Sequence, residues 1–498
     1  MFNSLITKVR GWLHKMGLIK GVQKIADLKG VQVDEDFYKH IDKWKALYAG
    51  FYADWHDIQY KTLKGPKKRI MATLNMPKVV SNEMASLIFN ERCEINISDD
   101  GLSEFIHEVL KDNSFIRNYQ EHLEFTFAMG GGVLKPYIEE DQIKLSYVTA
   151  DCFIPLAWNN KRVTEAVFPN EFRKGDKKYT HLEWHVWEGS EYVIKNEVYQ
   201  ADGTDTLGIK VDLKRFFPDL SPETRIKSFK LPGFVYIKPN TANNIDPKSP
   251  LGISLFANAL DTIKSLDVAF DSYQREFSLG KKRIIVPAAA LKTVVDPQTG
   301  QVHRYFDSED EVYQAFNFSN DAEAQQFKDV SATLRVTEHI AAINSLLNIL
   351  AMQTGFSAGA FSFDGQGVKT ATEVVSENSK TFRTKQSHEN TIEAGLQDLV
   401  AVILQYAELY ELYSGPDKFE VTVSFDDSIA EDQNAEITKQ IQLVSNKLTS
   451  RKKAIMKIWG FTEKEAEDLM EEISKENATA TAEAIDLFGV NKTGEGAE

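Results

Sequence analysis

Apolar residues in the first quarter of the chain recur every three or four positions over 34–63 and 79–128. Met84, Leu87 and Ile88 share one face, as do Phe105, Val109 and Leu110, with acids and amides opposite. That spacing predicts helices. From Gly130 the period shortens. VLKPYIEE, IKLSYV, TEAVFPNEF, THLEWHVWE and EYVIKNEVY are β-branched or aromatic runs separated by Asp, Asn and Gly turns, and they predict an antiparallel, mostly β region to about residue 240. The Pro- and Asn-rich stretch KPNTANNIDPKSPLG then reads as a linker.

Beyond it the helical period returns. Leu255, Leu260, Ile263, Leu266, Ala269 and Phe270 predict a helix from about Ser254 to Ser278, stopped at Gly280. The next forty or so residues hold two or three short strands, a turn at Asp296-Pro297-Gln298-Thr299-Gly300 and an acidic tract, and predict a small α/β knob. A second helix, roughly Val330 to Thr354, carries Ile340, Ile343, Leu346, Leu347 and Leu350 on one face, so the knob sits at the tip of a two-helix hairpin.

The most informative stretch follows, GFSAGAFSFDGQGVKTATEV. Gly355, Gly359, Gly365 and Gly367 predict a mobile loop between two strong helices. Thr370 with Glu373 forms a capping box that opens a helix to about Tyr413, close to 60 Å at the usual rise. Its first half is almost wholly polar and its second strongly apolar, which predicts two different environments. KFEVTVSF reads as a strand. Three shorter helices follow, the first with Ile437, Ile441, Val444 and Leu448 on one face, the second from Ser450 to Trp459, the third opened by Thr462 and Glu465. The Ala- and Thr-rich tail from Ala478 reads as disordered.

Composition narrows the function. A length of 498 residues with 42% hydrophobic content is more than one small core requires. A net charge of -15 argues against a protein built to grip nucleic acid tightly, so any DNA-handling role has to be loose. No apolar run reaches the ~18 residues needed to span a bilayer. Cys93 and Cys152 form neither a disulfide framework nor a metal pattern and read as buried small hydrophobes in a reducing compartment. The basic N-terminus, with Lys8, Arg10, Lys15 and Lys20, lacks a cleavage site. It reads as a short amphipathic helix, for which a packing arm and a membrane-surface or phosphate contact both stand.

Catalytic patterns are missing. His181 and His185 lie in an alternating strand, where residues four apart are roughly 13 Å from one another, too far to share one ion. Gly130-Gly131-Gly132 precedes a strand rather than a helix, and the chain has no phosphate-loop motif, no Gly-x-Ser-x-Gly elbow and no carboxylate spacing that singles out a nuclease site. No catalytic, metal or cofactor residue is assigned.

The order of helical and β body, helix, knob, helix, glycine loop, long helix and terminal helices resembles the portal proteins of tailed bacteriophages. The stretch GFSAGAFSFDGQGVKTATEVVSENSKTFRTKQSHE carries the closest match, to the branch found in phages of Gram-positive bacteria. The resemblance implies an α+β portal fold, mainly helical with an antiparallel β region. Its zones are a wing at 1–250 and 371–426, stem helices at 251–280 and 330–355, a clip at 281–329, a tunnel loop at 356–370 and a crown at 427–477, with 478–498 as the disordered tail.

It also implies a non-enzymatic dodecameric ring at one capsid vertex of the virion, made in the cytoplasm of the infected bacterium and free of membrane. Its partners are double-stranded DNA held loosely and without sequence preference, terminase, the major capsid or scaffolding protein, and a head-tail adaptor. The alternative is another phage structural or packaging component, scaffold-like or motor-associated.

Under that resemblance the tunnel-loop and channel candidates are Ser357, Gly359, Phe361, Ser362, Asp364, Gly365, Gln366, Gly367 and Lys369. Phe361 and Phe363 flank Ser362 on one side, which favours packing over DNA contact. Asp261, Lys264, Asp267, Asp271, Lys281, Lys282 and Arg283 are stem-lining candidates, the acids keeping phosphates from sticking. Lys281, Lys282 and Arg283 read equally as weak phosphate contacts or as solvated charges. Asp307, Glu309, Asp310 and Glu311 in the clip read either as an interface for a motor or adaptor or as plain solvated charge.

Overall fold

The computed structural model describes residues 34–62, 65–201, 207–280, 284–285, 292–295, 299–300, 302–305, 328–329, 333–363, 371–416, 418–425, 433–459, 461, 464 and 466–475. The basic N-terminal segment, most of the expected clip and the expected disordered tail lie outside them.

Helix α1 (Glu35–Tyr48) starts where Asp34 accepts the Phe37 N–H at 3.1 Å, with Glu35 and Asp36 in its first turn, and it buries Phe37, Ile41, Trp44 and Leu47. The helical spacing read over 34–63 does not persist. Gly50 at φ +84 breaks it, and a short helix α2 (Ala53–His56) leads into a two-stranded ribbon, β1 (Asp57–Thr62) with β2 (Gly65–Ile70). Helix α3 (Met76–Ile88), strand β3 (Glu94–Ile97) and helices α4 (Asp100–Asp112) and α5 (Phe115–Met129) follow. Their buried aromatics Phe89, Phe115 and Tyr119 meet edge-on or stacked at 4.8–6.1 Å.

The predicted β region forms as antiparallel sheets. Strands β4 (Gly132–Glu139) and β5 (Gln142–Thr149) make one hairpin. Strands β6 (Ile154–Asn159), β7 (Arg162–Lys174), β8 (Lys177–Glu188), β9 (Glu191–Gln200) and β10 (Ile209–Val211) run as a meander, with β11 (Glu223–Ile226) also on β9. Strand β12 (Val235–Ile237) closes on β4.

Helix α6 (Leu260–Leu279) begins six residues later than its periodicity predicts. The backbone before it is drawn into the core, where Leu255 N–H bonds the Phe127 carbonyl at 2.9 Å. Gly130, at φ +83, and Gly252 approach so closely that a Cβ on Gly130 would sit 2.7 Å from the Gly252 carbonyl oxygen. In the expected knob the described pieces are β13 (Ile284–Ile285), β14 (Lys292–Val295), β15 (Val302–Tyr305) and β16 (Lys328–Asp329), paired β13 with β16 and β14 with β15. Helix α7 (Val336–Gln353) returns along α6.

Helix α8 (Ala371–Leu409) is 39 residues long. The chain divides into two compact units, and α8 contributes 384–409 to the first, with residues 1–366 and 384–425, and 371–383 to the second, with 367–383 and 426–498. In the first unit Leu396, Leu399, Val400, Ile403 and Ala407 are buried, as the apolar half predicts. The polar half is not simply solvated. Lys385 and Glu389, one turn apart, pair at 2.6 Å while 3% and 9% exposed. Strand β17 (Val421–Ser424) pairs with β3. The second unit holds α9 (Gln433–Ser445), α10 (Arg451–Trp459) and a helical stretch at 466–475, with Ala454 and Ala466 buried and Lys452 paired with Glu467 at 2.6 Å.

Candidate functional site

Helices α6 and α7 form an antiparallel pair whose buried seam includes Ile263 and Leu266 from one side and Ile343, Leu347 and Leu350 from the other. At the far end Glu276 receives Arg335 through Nε at 3.2 Å and Nη2 at 3.1 Å, and hydrogen bonds from Arg335 hold its carboxyl at about 2. An ion pair therefore joins the two helices at the end that faces the expected knob.

Two of the seven stem-lining candidates are turned into the fold. Asp267, 2% exposed, accepts from Thr73 Oγ1 at 2.7 Å and Leu74 N–H at 3.1 Å, and its other oxygen lies 3.1 Å from His56 Nε2. Asp271, 7% exposed, takes a bidentate pair from Arg69 at 2.7 Å each and the Ala72 N–H at 3.1 Å. Burial opposes ionisation of Asp271, yet Arg69 and that N–H bring its carboxyl below the ordinary value. The expectation that these acids repel phosphates is corrected, since they are spent within the fold on the segment 56–74. Asp261 and Lys264 are exposed, with the Lys264 ammonium 5.8 Å from the Trp55 ring centre. Lys281, Lys282, Arg283, Asp307, Glu309, Asp310 and Glu311 lie outside the described residues.

The first half of the glycine loop is docked rather than free. Gly355, at φ +86, turns the chain off α7. Asn344 Oδ1 then accepts the Phe363 N–H at 2.8 Å, and Asn348 Oδ1 accepts the Gly359 N–H at 2.9 Å. These asparagines stand one turn apart on α7, and no candidate residue was drawn from them. Their signal was the spacing NSLLN on an otherwise apolar face.

Phe356 and Ser357 are buried. Phe361 packs on Phe356 at 5.0 Å, and Phe363 packs on Tyr273 at 5.6 Å, so both phenylalanines tether the loop, as their alternation favours. Gly359 and Ser362 face solvent. Ser357 and Phe361 are thus turned inward, contrary to a channel-facing role. Asp364, Gly365, Gln366, Gly367, Lys369 and the capping residue Thr370 lie outside the described residues.

His181 Nε2 is 3.0 Å from Asn196 Oδ1, and His185 sits between Tyr192 Oη at 2.7 Å and Glu183 Oε1 at 2.8 Å, each histidine engaged inside the sheet. Among the described residues no group of three or more His, Cys, Asp or Glu is placed to hold a metal ion. None of the described helices is long and apolar enough to cross a membrane.

One family model matches nearly the whole chain, the helix pair, the glycine loop and the long helix included. The model for phage portal proteins of the SPP1 Gp6-like type matches residues 31–479. The chain belongs to that family. That family is structural rather than enzymatic, and the mixed helices and antiparallel sheets of this chain agree with a portal fold. No curated protein matches this portal significantly.

Proposed function

We propose that this portal protein assembles as a dodecameric ring at one capsid vertex and serves as the conduit for DNA during packaging and ejection. It docks terminase while the genome enters and head-tail adaptor proteins afterwards, and meets the capsid or scaffolding protein at its rim. The observation that carries the reading is the family match over 31–479, which takes in the helix pair, the loop and the long helix together. A closed ring needs heterologous contacts, two different surfaces per subunit. The exposed apolar residues Val268, Ile349 and Met352 on α6 and α7, left uncovered in a single chain, are suited to such contacts.

In this reading α6 and α7 are the stem, 281–329 the clip, 427–477 the crown, and the loop touches DNA through Gly359, Ser362 and residues 364–369. The conduit does no chemistry, so its contacts with DNA are weak and salt-dependent. Native mass spectrometry of the purified full chain with negative-stain imaging tests it. Closed rings of twelve or a neighbouring number of subunits with a central hole are expected, and a stable monomer or dimer across salt conditions overturns it.

A further inference from the structure

The ribbon β1–β2 is the feature that the portal reading leaves unused. Among the described residues its strands pair only with each other, and an isolated two-stranded ribbon is marginal in water. The fold nevertheless fixes its base firmly. Arg69 near the end of β2 is clamped by Asp271, while His56 just before β1 and Thr73 just after β2 converge on Asp267. Two acids one turn apart on α6 therefore hold both ends of the ribbon.

The ribbon has a charge opposite to the chain's. In a protein of net charge -15, residues 61–69 read KTLKGPKKR, without a single acid. The register sets Gln59 against Lys68, Tyr60 against Lys67 and Lys61 against Pro66, so Lys61 and Lys68 are diagonal neighbours on one face and Lys67 projects from the other. All three lysines are exposed. Lys61 and Lys67 have no acidic partner among the described residues, and Lys68 has only Asp57, at 4.0 Å.

We propose that this ribbon is a contact site for the phosphate backbone of duplex DNA, separate from the glycine loop, with Lys61, Lys67 and Lys68 as the contacting groups. The choice of DNA rests on the conduit reading. Chemistry favours it over an acidic protein surface for two reasons. Lysine is depleted in protein interfaces, and the arginine here, the better interface residue, is already committed to Asp271. A two-stranded ribbon also has dimensions that the DNA major groove admits, while lysines on both faces suit phosphates whatever the sequence between them. Such contacts trade affinity for mobility, as a conduit requires.

The test is binding of a fluorescent duplex of arbitrary sequence to the assembled full-length protein over a salt series. Replacing the three lysines together, K61Q/K67Q/K68Q, is expected to weaken binding and to flatten the slope of log affinity against log salt by about 3, close to one per phosphate contact. The arginine triple K61R/K67R/K68R keeps the slope. Unchanged affinity and slope in the glutamine triple overturn the proposal, as does a wild-type protein that ignores duplex at low salt. If the glutamine triple instead binds DNA normally but its rings dissociate at lower salt, the ribbon is a clasp between copies and the DNA assignment is wrong. Failure of the wild type to form rings sinks the conduit reading itself, which native mass spectrometry reads independently.

Discussion

His56 and Asp267, 211 positions apart in sequence, meet at 3.1 Å with each side chain 2% exposed. The Nδ1 of His56 accepts the Tyr52 N–H at 2.8 Å, which leaves Nε2–H to donate to the carboxylate. With the Thr73 hydroxyl and Leu74 N–H on its other oxygen, Asp267 is the node that ties the N-terminal segment to α6.

Asp267→Ala is therefore expected to strand three donors in a buried site at a cost of about 3–5 kcal/mol, whereas Asp267→Asn, which keeps an acceptor, costs less. Urea unfolding of the two variants against wild type measures the difference. A loss below about 1 kcal/mol in the alanine variant would mean that the node is dispensable.

Much of this was legible in the sequence. The β meander, the helix pair, the long helix and the inward Phe361 and Phe363 follow from periods of 2 and 3.6 that burial on one face enforces. What was not legible is pairing across distance. Asp267 and Asp271 read as an acidic stripe because nothing near them in sequence reveals that His56, Thr73 and Arg69 return to meet them. The ribbon 57–70 was lost because it buries neither face, so its strands carry no apolar alternation. Asn344 and Asn348 drew no reading from the sequence, yet they are the hydrogen-bond acceptors that dock the loop.

The docked loop divides into two parts with different expected behaviour. Deleting 364–368 is expected to leave rings intact while impairing DNA packaging or retention. Phe363→Ala is expected to cost about 1–2 kcal/mol, less than a fully buried phenylalanine because the ring is only partly covered. Ring formation and unfolding midpoints, measured on both variants, separate these outcomes. Loss of rings on the short deletion would make that segment structural.

Gly130 is expected to tolerate no side chain. Alanine there would take a left-handed backbone conformation and place its Cβ 2.7 Å from the Gly252 carbonyl oxygen and the Ile253 carbonyl carbon, both backbone atoms that cannot swing aside. A destabilisation of about 2 kcal/mol or more is expected for Gly130→Ala, while Gly175→Ala, at φ +63 with open space around it, costs only about 1 kcal/mol of backbone strain. Equal unfolding midpoints for the two variants would show that the close approach relaxes.

Acid should loosen the first unit before its carboxylates titrate. Burial pushes the imidazoles of His122 and His388 down to about 4, against an ordinary value of 6.5. Between those values the unfolded chain binds protons that the folded chain refuses, so stability is full above about 6.5 and falls as pH drops towards about 4, by on the order of 3 kcal/mol per histidine at the bottom of the window. Carboxylates such as Glu276, held at about 2, withdraw stability only below their ordinary value of 4.5, so the upper part of the window reports the histidines. His181 and His185, also lowered by burial, add to it in the same direction. Thermal midpoints of the full chain across this range should fall with acid, and His122→Asn with His388→Asn should flatten the slope even where the variants are less stable at neutral pH. A slope that the double variant leaves unchanged would mean that neither imidazole is kept neutral by the fold.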